Sequence, residues 1–210
     1  MNLYFAPLAC SMATRIALYE AGATATYTQV DLKSHRVVST GQDFSEITRM
    51  AQVPALAVDE KTVLTENTAV LQFVARQFPA AKLAPTDDIQ HARMQQWLGF
   101  IATELHKVFI PLLDATAPEG AKEYSRAKLP LRLAVLEEHF FQQQFALDTF
   151  SIVDAYLTTI LNWCSAAAID LKQWPVTHAY YLRMLQRPSI ARACGEELTL
   201  YKEEQLRQAS

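Results

Sequence analysis

Glycine is scarce in this chain: it occupies five of the 210 positions, namely 22, 41, 99, 120 and 195. Neither the G-x-G-x-x-G fingerprint nor a P-loop can be written with those positions. This excludes dinucleotide-binding Rossmann enzymes and P-loop nucleotide hydrolases. No apolar run approaches the ~18 residues that cross a bilayer, and the first residues lack the charged start and apolar core of a secretory signal. We therefore expect no membrane association.

The chain also has few cysteines and no large excess of charge of either sign. Cys10, Cys164 and Cys194 are odd in number and far apart, so we expect no disulfide framework and a cytoplasmic location. The absence of C-x-x-C and H-E-x-x-H gives a metal site little support. A net charge of −3 provides no basic field for nucleic acid. Half of the residues are apolar, which is ordinary for a globular protein with a core.

The residue pattern divides the chain into two parts. In the first part, periodicity and turn residues predict strands at 2–5, 26–32, 54–58 and 62–64, with helices at 11–21, 41–50 and 65–78. This βαβαββα order indicates a mixed sheet flanked by helices. After Pro79 only helices are predicted, at 89–113, 123–145, 152–168 and 176–187, with a short one near the end. We expect an α/β domain at 1–80, a linker at 81–88 and an all-helical domain at 89–210.

Cys10 lies where the first strand gives way to the first helix, in the stretch FAPLACSMATRI. At this position the N-terminal N–H groups and partial positive charge of the helix would favour the thiolate, which is the nucleophilic form. The alternative is that Cys10 is a small buried apolar side chain, as free cysteine usually is.

The segment AQVPAL contains Val53 and Pro54 directly before a predicted strand. A cis bond between these two residues would present the Val53 N–H and C=O to an extended peptide, as a free sheet edge does. The alternative is a trans proline that begins a strand. Further on, Thr65 could cap a helix that starts with Glu66 and Asn67, and the open N–H groups there would bind a carboxylate. The alternative is an ordinary helix start.

The long helix predicted at 89–113 carries one apolar face and one polar face. On a wheel of 100° per residue, Thr103 and His106 lie about 140° from the apolar face, together with Gly99. His106 is therefore expected to face water or the neighbouring domain. Later, Ser151 and Asp154 have the spacing of a capping box at the start of a helix.

These segments, in this order, resemble the cytosolic glutathione transferases, and most closely the bacterial beta class. The resemblance covers residues 1 to about 192. It implies an α/β thioredoxin-like N-terminal domain plus an all-α C-terminal domain, the glutathione transferase fold, as a homodimer. It also implies that glutathione, the co-substrate, lies in the cleft between the domains.

The resemblance also implies roles for individual residues. Val53 would pair with the cysteinyl backbone of glutathione ahead of a cis Pro54, while Glu66 and Asn67 would hold its γ-glutamyl end. Cys10 would lie beside the glutathione sulfur and could form a mixed disulfide with it. The implied catalytic residues are Cys10 and His106. The implied glutathione-binding residues are His35, Gln52, Val53, Pro54, Glu66, Asn67, Thr103 and Lys107.

The implied activity is conjugation of glutathione to small hydrophobic electrophiles, glutathione-dependent thiol or peroxide chemistry through Cys10, or both. Several positions depart from the family pattern. Asn67 stands where serine is general, and His35 replaces a basic residue expected to meet the glycyl carboxylate. Residues 48–51 read TRMA where NPKG is usual, Gly99 replaces an asparagine, and residues 147–148 read LD where glycine-aspartate is usual. Because histidine is largely uncharged near neutral pH, we expect weaker carboxylate binding. The alternative is a non-catalytic binding or regulatory protein that has the same fold and an eroded glutathione site.

Overall fold

The computed structural model describes residues 1–209. By their internal contacts these residues form two compact units, and we describe each by itself. The first unit contains residues 1–83 and the chain from Arg187 onward, and the second contains residues 84–186. The segment from Arg187 onward, which was predicted to belong to the helical domain, groups by its contacts with the first unit.

The first unit is built on a mixed sheet, as the βαβαββα order predicts, although it has five strands where four were predicted. Its strands are β1 (Asn2–Phe5), β2 (Thr26–Asp31), β3 (Arg36–Val37), β4 (Ala55–Ala57) and β5 (Val63–Leu64). The strand order is β3-β2-β1-β4-β5, so β1 is central. It pairs in parallel with β2, in the register Leu3 to Tyr27, and antiparallel with β4, in the register Leu3 to Leu56.

The described residues also form eight α-helices, numbered in chain order. They are α1 (Met12–Glu20), α2 (Asn67–Gln77), α3 (Asp88–Phe100), α4 (Lys107–Leu113), α5 (Glu119–Gln142), α6 (Ile152–Leu161), α7 (Pro175–Leu185) and α8 (Pro188–Ala209). In the first unit α1 packs against both α2 and α8. Gly22 follows α1 in the left-handed conformation, with φ +60°, which glycine adopts readily at the end of a helix.

Two helices of the first unit differ from the sequence prediction. The helix predicted at 41–50 is wrong, because only Phe44–Glu46 forms one 3-10 turn, with Phe44 fully buried. The helix α8 has 22 residues instead of being short. Its buried face, at Ile190, Ala193 and Glu197, includes a carboxylate, so the apolar periodicity that marks a helix is interrupted there.

The second unit is entirely helical over its described residues. The helix predicted at 89–113 exists as α3 and α4, joined by a π-helical segment at Ile101–His106. All ten residues of α6 are buried, so this helix lies at the centre of the unit. Across the described chain, no helix combines the length and apolarity that would let it span a membrane.

Candidate active site

Cys10 lies in the turn that connects β1 to α1, and its side chain is 9% exposed. Its Sγ is 3.2 Å from the carbonyl oxygen of Val53, to which a protonated thiol donates. Helix α1 begins two residues later, at Met12. The thiol therefore sits at a helix N-terminus, as predicted, with the backbone of residue 53 in contact.

The turn around Cys10 is held by its own backbone and by Ser11. The Ser11 hydroxyl is 3.3 Å from both the N–H and the C=O of Ala6, and the Ala9 N–H donates to the Ala6 carbonyl at 3.1 Å. Leu8 adopts the left-handed conformation, with φ +59°. Ser11 is itself fully buried, so this turn is part of the packed structure and not a loose loop.

The peptide bond between Val53 and Pro54 is cis, as the resemblance implies. Pro54 is buried, Val53 is half-buried and Gln52 is exposed. The Val53 carbonyl that was predicted to face an incoming peptide is in contact with the Cys10 sulfur instead. A carbonyl oxygen has two lone pairs, so it can accept a second hydrogen bond.

The start of α2 differs from the sequence prediction. The helix begins at Asn67 and not after Thr65, so the proposed Thr65 cap is wrong. Glu66 occupies the cap position with φ +64° and an exposed side chain. The Asn67 amide donates to the Cys10 carbonyl at 3.2 Å and accepts from the Thr14 hydroxyl at 3.2 Å. Asn67 therefore holds the start of α2 against the Cys10 turn through its side chain.

Positive φ angles occur at or near several predicted site residues. Of the six described non-glycine residues with positive φ, Leu8, His35, Ala51 and Glu66, with φ between +47° and +64°, are site residues or lie within two positions of one, whereas Lys82 and Ala168 are not. Such conformations cost about 1–3 kcal/mol for residues other than glycine and are typical of functional sites. Of the predicted residues in this unit, Cys10 contacts both Val53 and Asn67. His35, Gln52 and Glu66 present exposed side chains.

His106 belongs to the second unit, where it is half-buried against α6. Its Nδ1 is 2.6 Å from the Tyr156 hydroxyl, and its ring centroid is 5.0 Å from that of the buried Trp163. Burial, with a smaller contribution from the nearby Lys107 charge, lowers the pKa of His106 to about 4. The imidazole is therefore neutral at pH 7.

His106 was predicted to face water or the neighbouring domain. One side of its ring instead packs inside the second unit, against Tyr156 and Trp163. The cause is the π-helical segment, which holds more residues per turn than the α-helix assumed on the 100° wheel. Thr103 is exposed and donates its hydroxyl to the Gly99 carbonyl at 3.0 Å within the same helical stretch. Lys107 is exposed as well.

The predicted capping box at the start of α6 is confirmed. The Ser151 hydroxyl accepts from the Val153 N–H, and an Asp154 oxygen accepts from the Ser151 N–H at 3.0 Å. Asp154 also accepts from the Ala146 N–H and from the Tyr180 hydroxyl, each at 2.9 Å. Burial raises the pKa of Asp154 to about 6.

Sequence reasoning missed two charged residues next to the Cys10 turn, Arg15 and Glu197. Both are buried, and Glu197 accepts a hydrogen bond from the Leu8 N–H at 2.7 Å. The signal that could have found them is a charge at a core position of each helix: Arg15 precedes the apolar Ile16 in α1, and Glu197 follows Ile190 and Ala193 at helical spacing. Each charge at such a position needs a partner.

Comparisons with family models and with known proteins identify the same family. Residues 1–76 match the model of the glutathione S-transferase N-terminal domain, and residues 100–188 match that of the C-terminal domain. The chain is 38% identical over 203 residues to glutathione S-transferase GstA of Escherichia coli O157:H7, covering 94% of this chain and 98% of that protein.

Solved structures agree with this result. The chain is similar to BphK, a bacterial glutathione S-transferase solved as a ternary complex, with TM-score 0.90 and 37% identity over 94% of this chain and 99% of that one. It is similar to a sphingomonad glutathione S-transferase solved with glutathione, with TM-score 0.89 and 35% identity over 94% and 98% of the two chains. A beta-class enzyme of Sphingomonas chungbukensis gives TM-score 0.89 and 36% identity over the same shares.

The thioredoxin-like first domain, the helical second domain and the beta-class structural relatives therefore agree with the resemblance seen in the sequence: the chain belongs to the glutathione S-transferase family, and it is a transferase of the bacterial beta-class type.

Proposed function

We propose that the first unit binds glutathione with its sulfur beside Cys10, and that the enzyme conjugates it to small hydrophobic electrophiles. The observation that carries this proposal is the 3.2 Å contact between Cys10 Sγ and the carbonyl of Val53, next to the cis Pro54. A tripeptide whose cysteine pairs with the backbone of residue 53 brings its own sulfur to this point. Gln52 precedes that pairing position and has an exposed side chain.

The two ends of glutathione need different partners. The γ-glutamyl end carries a carboxylate and an ammonium, which suit the open N–H groups at the start of α2 and the exposed Glu66 carboxylate. Because the Asn67 amide already bonds Cys10 and Thr14, we assign Asn67 a backbone role toward this end. His35 is the residue we assign to the glycyl carboxylate.

The chemistry depends on the glutathione thiolate. In conjugation, that thiolate attacks the electrophile while the protein holds both reactants in place. In the thiol chemistry, the Cys10 thiolate attacks one sulfur of oxidised glutathione, forms a mixed disulfide and releases one reduced glutathione. This second reaction needs oxidised glutathione as the co-reactant and leaves one glutathione on Cys10.

From the second unit, His106 is the proposed supporting hydrogen-bond donor. Its low pKa keeps it neutral, so one ring nitrogen carries a proton and the other accepts. Thr103, three residues before His106, and Lys107, one residue after it, have exposed side chains and are proposed as glutathione contacts through the resemblance alone. A homodimer and a cytoplasmic location are proposed on the same ground.

Three measurements on the purified protein test the proposal: calorimetry with reduced glutathione, conjugation of a chloronitrobenzene, and mass spectrometry after exposure to oxidised glutathione. We expect binding, conjugation, and one added glutathione that maps to Cys10. Cys10→Ala should lose the adduct, while Cys194→Ser, the matched control, should keep it. Absence of binding, adduct and conjugation in the unmodified protein would contradict the proposal and favour the non-catalytic alternative.

A further inference from the structure

The Cys10 turn is tied to the far end of the chain by one hydrogen bond. The N–H of Leu8 donates to Oε2 of Glu197 in α8 at 2.7 Å, a short bond because its acceptor is charged. Glu197 has no exposed surface. Leu8 lies two residues before Cys10 and has the left-handed conformation that a side chain like leucine rarely adopts. The bond therefore supports a strained residue directly beside the reactive thiol.

The carboxylate has a cation on its other side. Nε of Arg15 lies 3.2 Å from Oε1 of Glu197, and Arg15 is 3% exposed. The contact is ionic, because among the described residues neither atom has a hydrogen-bond partner of good geometry. The guanidinium group also stacks over the rings of Phe5 at 4.0 Å and Tyr27 at 4.5 Å. Leu8, Arg15 and Glu197 together form what we call the Leu8 anchor.

A buried ion pair stabilises a core poorly, because both charges lose their hydration. Well-packed apolar residues of similar volume are often equally stable or more stable in such a place. Burial raises the pKa of Glu197 to about 7, which shows that the carboxylate is poorly solvated despite the Arg15 charge. The anchor contains one contact that an apolar pair could not reproduce, namely the bond to the Leu8 N–H.

We propose that Glu197 is a positioning residue for Cys10, which holds the Leu8 turn so that the Cys10 sulfur stays against Val53 where the glutathione sulfur arrives. This inference rests on the proposed function, because it assumes that Cys10 meets glutathione. Arg15 acts through Glu197 by fixing the orientation of its carboxylate. The prediction is that removal of the anchor impairs reaction with glutathione much more than reaction with a small reagent.

The test compares two rates at Cys10, both read by mass spectrometry of the Cys10 peptide: adduct formation with oxidised glutathione, and alkylation by iodoacetamide. Both reactions need the thiolate, so their ratio cancels changes in thiolate content and reports geometry. The main variant is Arg15→Met with Glu197→Leu, in which an apolar pair replaces the ion pair. We expect its unfolding midpoint to stay near that of the unmodified protein and its ratio to fall about tenfold.

The matched control is Glu196→Gln on the same helix. Glu196 bonds Tyr19 and Arg192 and lies 3.4 Å from Arg15, on the exposed side of α8. We expect the ratio for this variant to stay within threefold of the unmodified protein. A ratio within threefold in the double variant, or an equal fall in the control, would overturn the positioning role.

A second variant covers the case in which the double variant does not fold. Replacement of Leu8 by its α-hydroxy acid removes the N–H donor alone and leaves the Arg15–Glu197 pair in place. The same fall in the ratio is expected, and a ratio within threefold again overturns the role. Failure of the proposed function would look different, since the unmodified protein itself would then form no glutathione adduct.

Discussion

Two buried carboxylates, one in each unit, do the same kind of work by different means. Asp154 accepts hydrogen bonds from the Ala146 and Ser151 N–H groups and from the Tyr180 hydroxyl. Glu197 accepts one backbone N–H, from Leu8, and has a guanidinium beside it. The first carboxylate is solvated by neutral donors, and the second mainly by an opposite charge.

The difference also concerns distance along the chain. The backbone partners of Asp154 lie within eight residues of it, whereas Leu8 and Glu197 are 189 residues apart. Local partners produce a spacing that can be recognised in a sequence, as the Ser151-x-x-Asp154 box shows. Distant partners produce no such spacing. A buried carboxylate that organises a local loop is therefore predictable, while one that joins the two ends of the chain is not.

The largest effect is expected from Asp154→Ala. It leaves four buried donors without their acceptor, namely the Ala146 and Ser151 N–H groups and the Ser151 and Tyr180 hydroxyls, so we expect the free energy of unfolding of the second unit to fall by about 4 kcal/mol. Urea unfolding followed by tryptophan fluorescence measures this, since the tryptophans at 97, 163 and 174 all belong to this unit. Asp154→Asn keeps one acceptor oxygen and should lose about half as much. A loss below about 1 kcal/mol for the alanine variant would contradict the account.

A somewhat smaller effect is expected from Glu197→Ala, because Arg15 keeps a second carboxylate at 3.4 Å, that of Glu196. We expect the free energy of unfolding to fall by about 3 kcal/mol, since a buried cation loses its main partner. Far-UV circular dichroism during urea unfolding measures it. Glu196→Ala is the control and should cost about 1 kcal/mol or less, as exposed ion pairs do. Equal losses in the two variants would remove the distinction between them.

The dependence of stability on pH distinguishes the two buried carboxylates from His106. Burial raises the pKa of Glu197 to about 7, so the folded state binds its proton more tightly than the unfolded state. The stability linked to this proton is complete below about pH 4.5 and is lost as the pH rises through 7. Burial likewise raises the pKa of Asp154 to about 6, so the stability linked to its proton is also lost as the pH rises through about 6. His106, whose pKa is lowered to about 4, has the opposite sign and loses stability as the pH falls below 6.5.

Glu197→Gln tests this sign. We expect the fall in the free energy of unfolding between pH 5 and pH 7 to be shallower in this variant than in the unmodified protein. His106→Gln is the companion variant and should instead make the loss on acidification shallower. Parallel pH profiles for Glu197→Gln and the unmodified protein would show that Glu197 does not titrate in this range.

The smallest effect is expected from the hydroxyl of the capping box, whose partners are local in the chain. Ser151→Ala removes the hydroxyl that caps α6 and should lower the free energy of unfolding by about 1 kcal/mol. Ser165→Ala, at an exposed position after α6, is the control and should change it by less than about 0.5 kcal/mol. The measurement is the same fluorescence-detected urea unfolding. A loss equal to that of Asp154→Ala would mean that Ser151 carries the whole box.

Much of the fold could be predicted from local pattern. Strand β1 was predicted at its observed bounds, and the long helix at 89–113 was predicted within one residue. What could not be predicted depends on irregular backbone or on charge at core positions. The π-helical segment turned His106 away from the direction that an α-helix predicts. The buried charge of Glu197 interrupts the apolar pattern of α8, so the length of this helix was not predicted.

The candidate site was predictable in part, for a similar reason. The cis bond before Pro54 followed from the resemblance and not from the local sequence, in which a trans bond is usual. Asn67 was predicted to hold the ligand, but its amide binds the protein, because Cys10 and Thr14 come within its reach only after the unit folds. Contacts between residues far apart along the chain are the common element in these cases.

The return of α8 to the first unit has a consequence for synthesis on the ribosome. The second unit is one continuous segment and can complete its packing as soon as residue 186 has emerged. The sheet that contains the reactive cysteine is made earlier but must wait for Glu197 to be translated before its turn is secured. A nascent chain released before that residue would carry an intact helical half and a thiol turn that lacks the Glu197 bond.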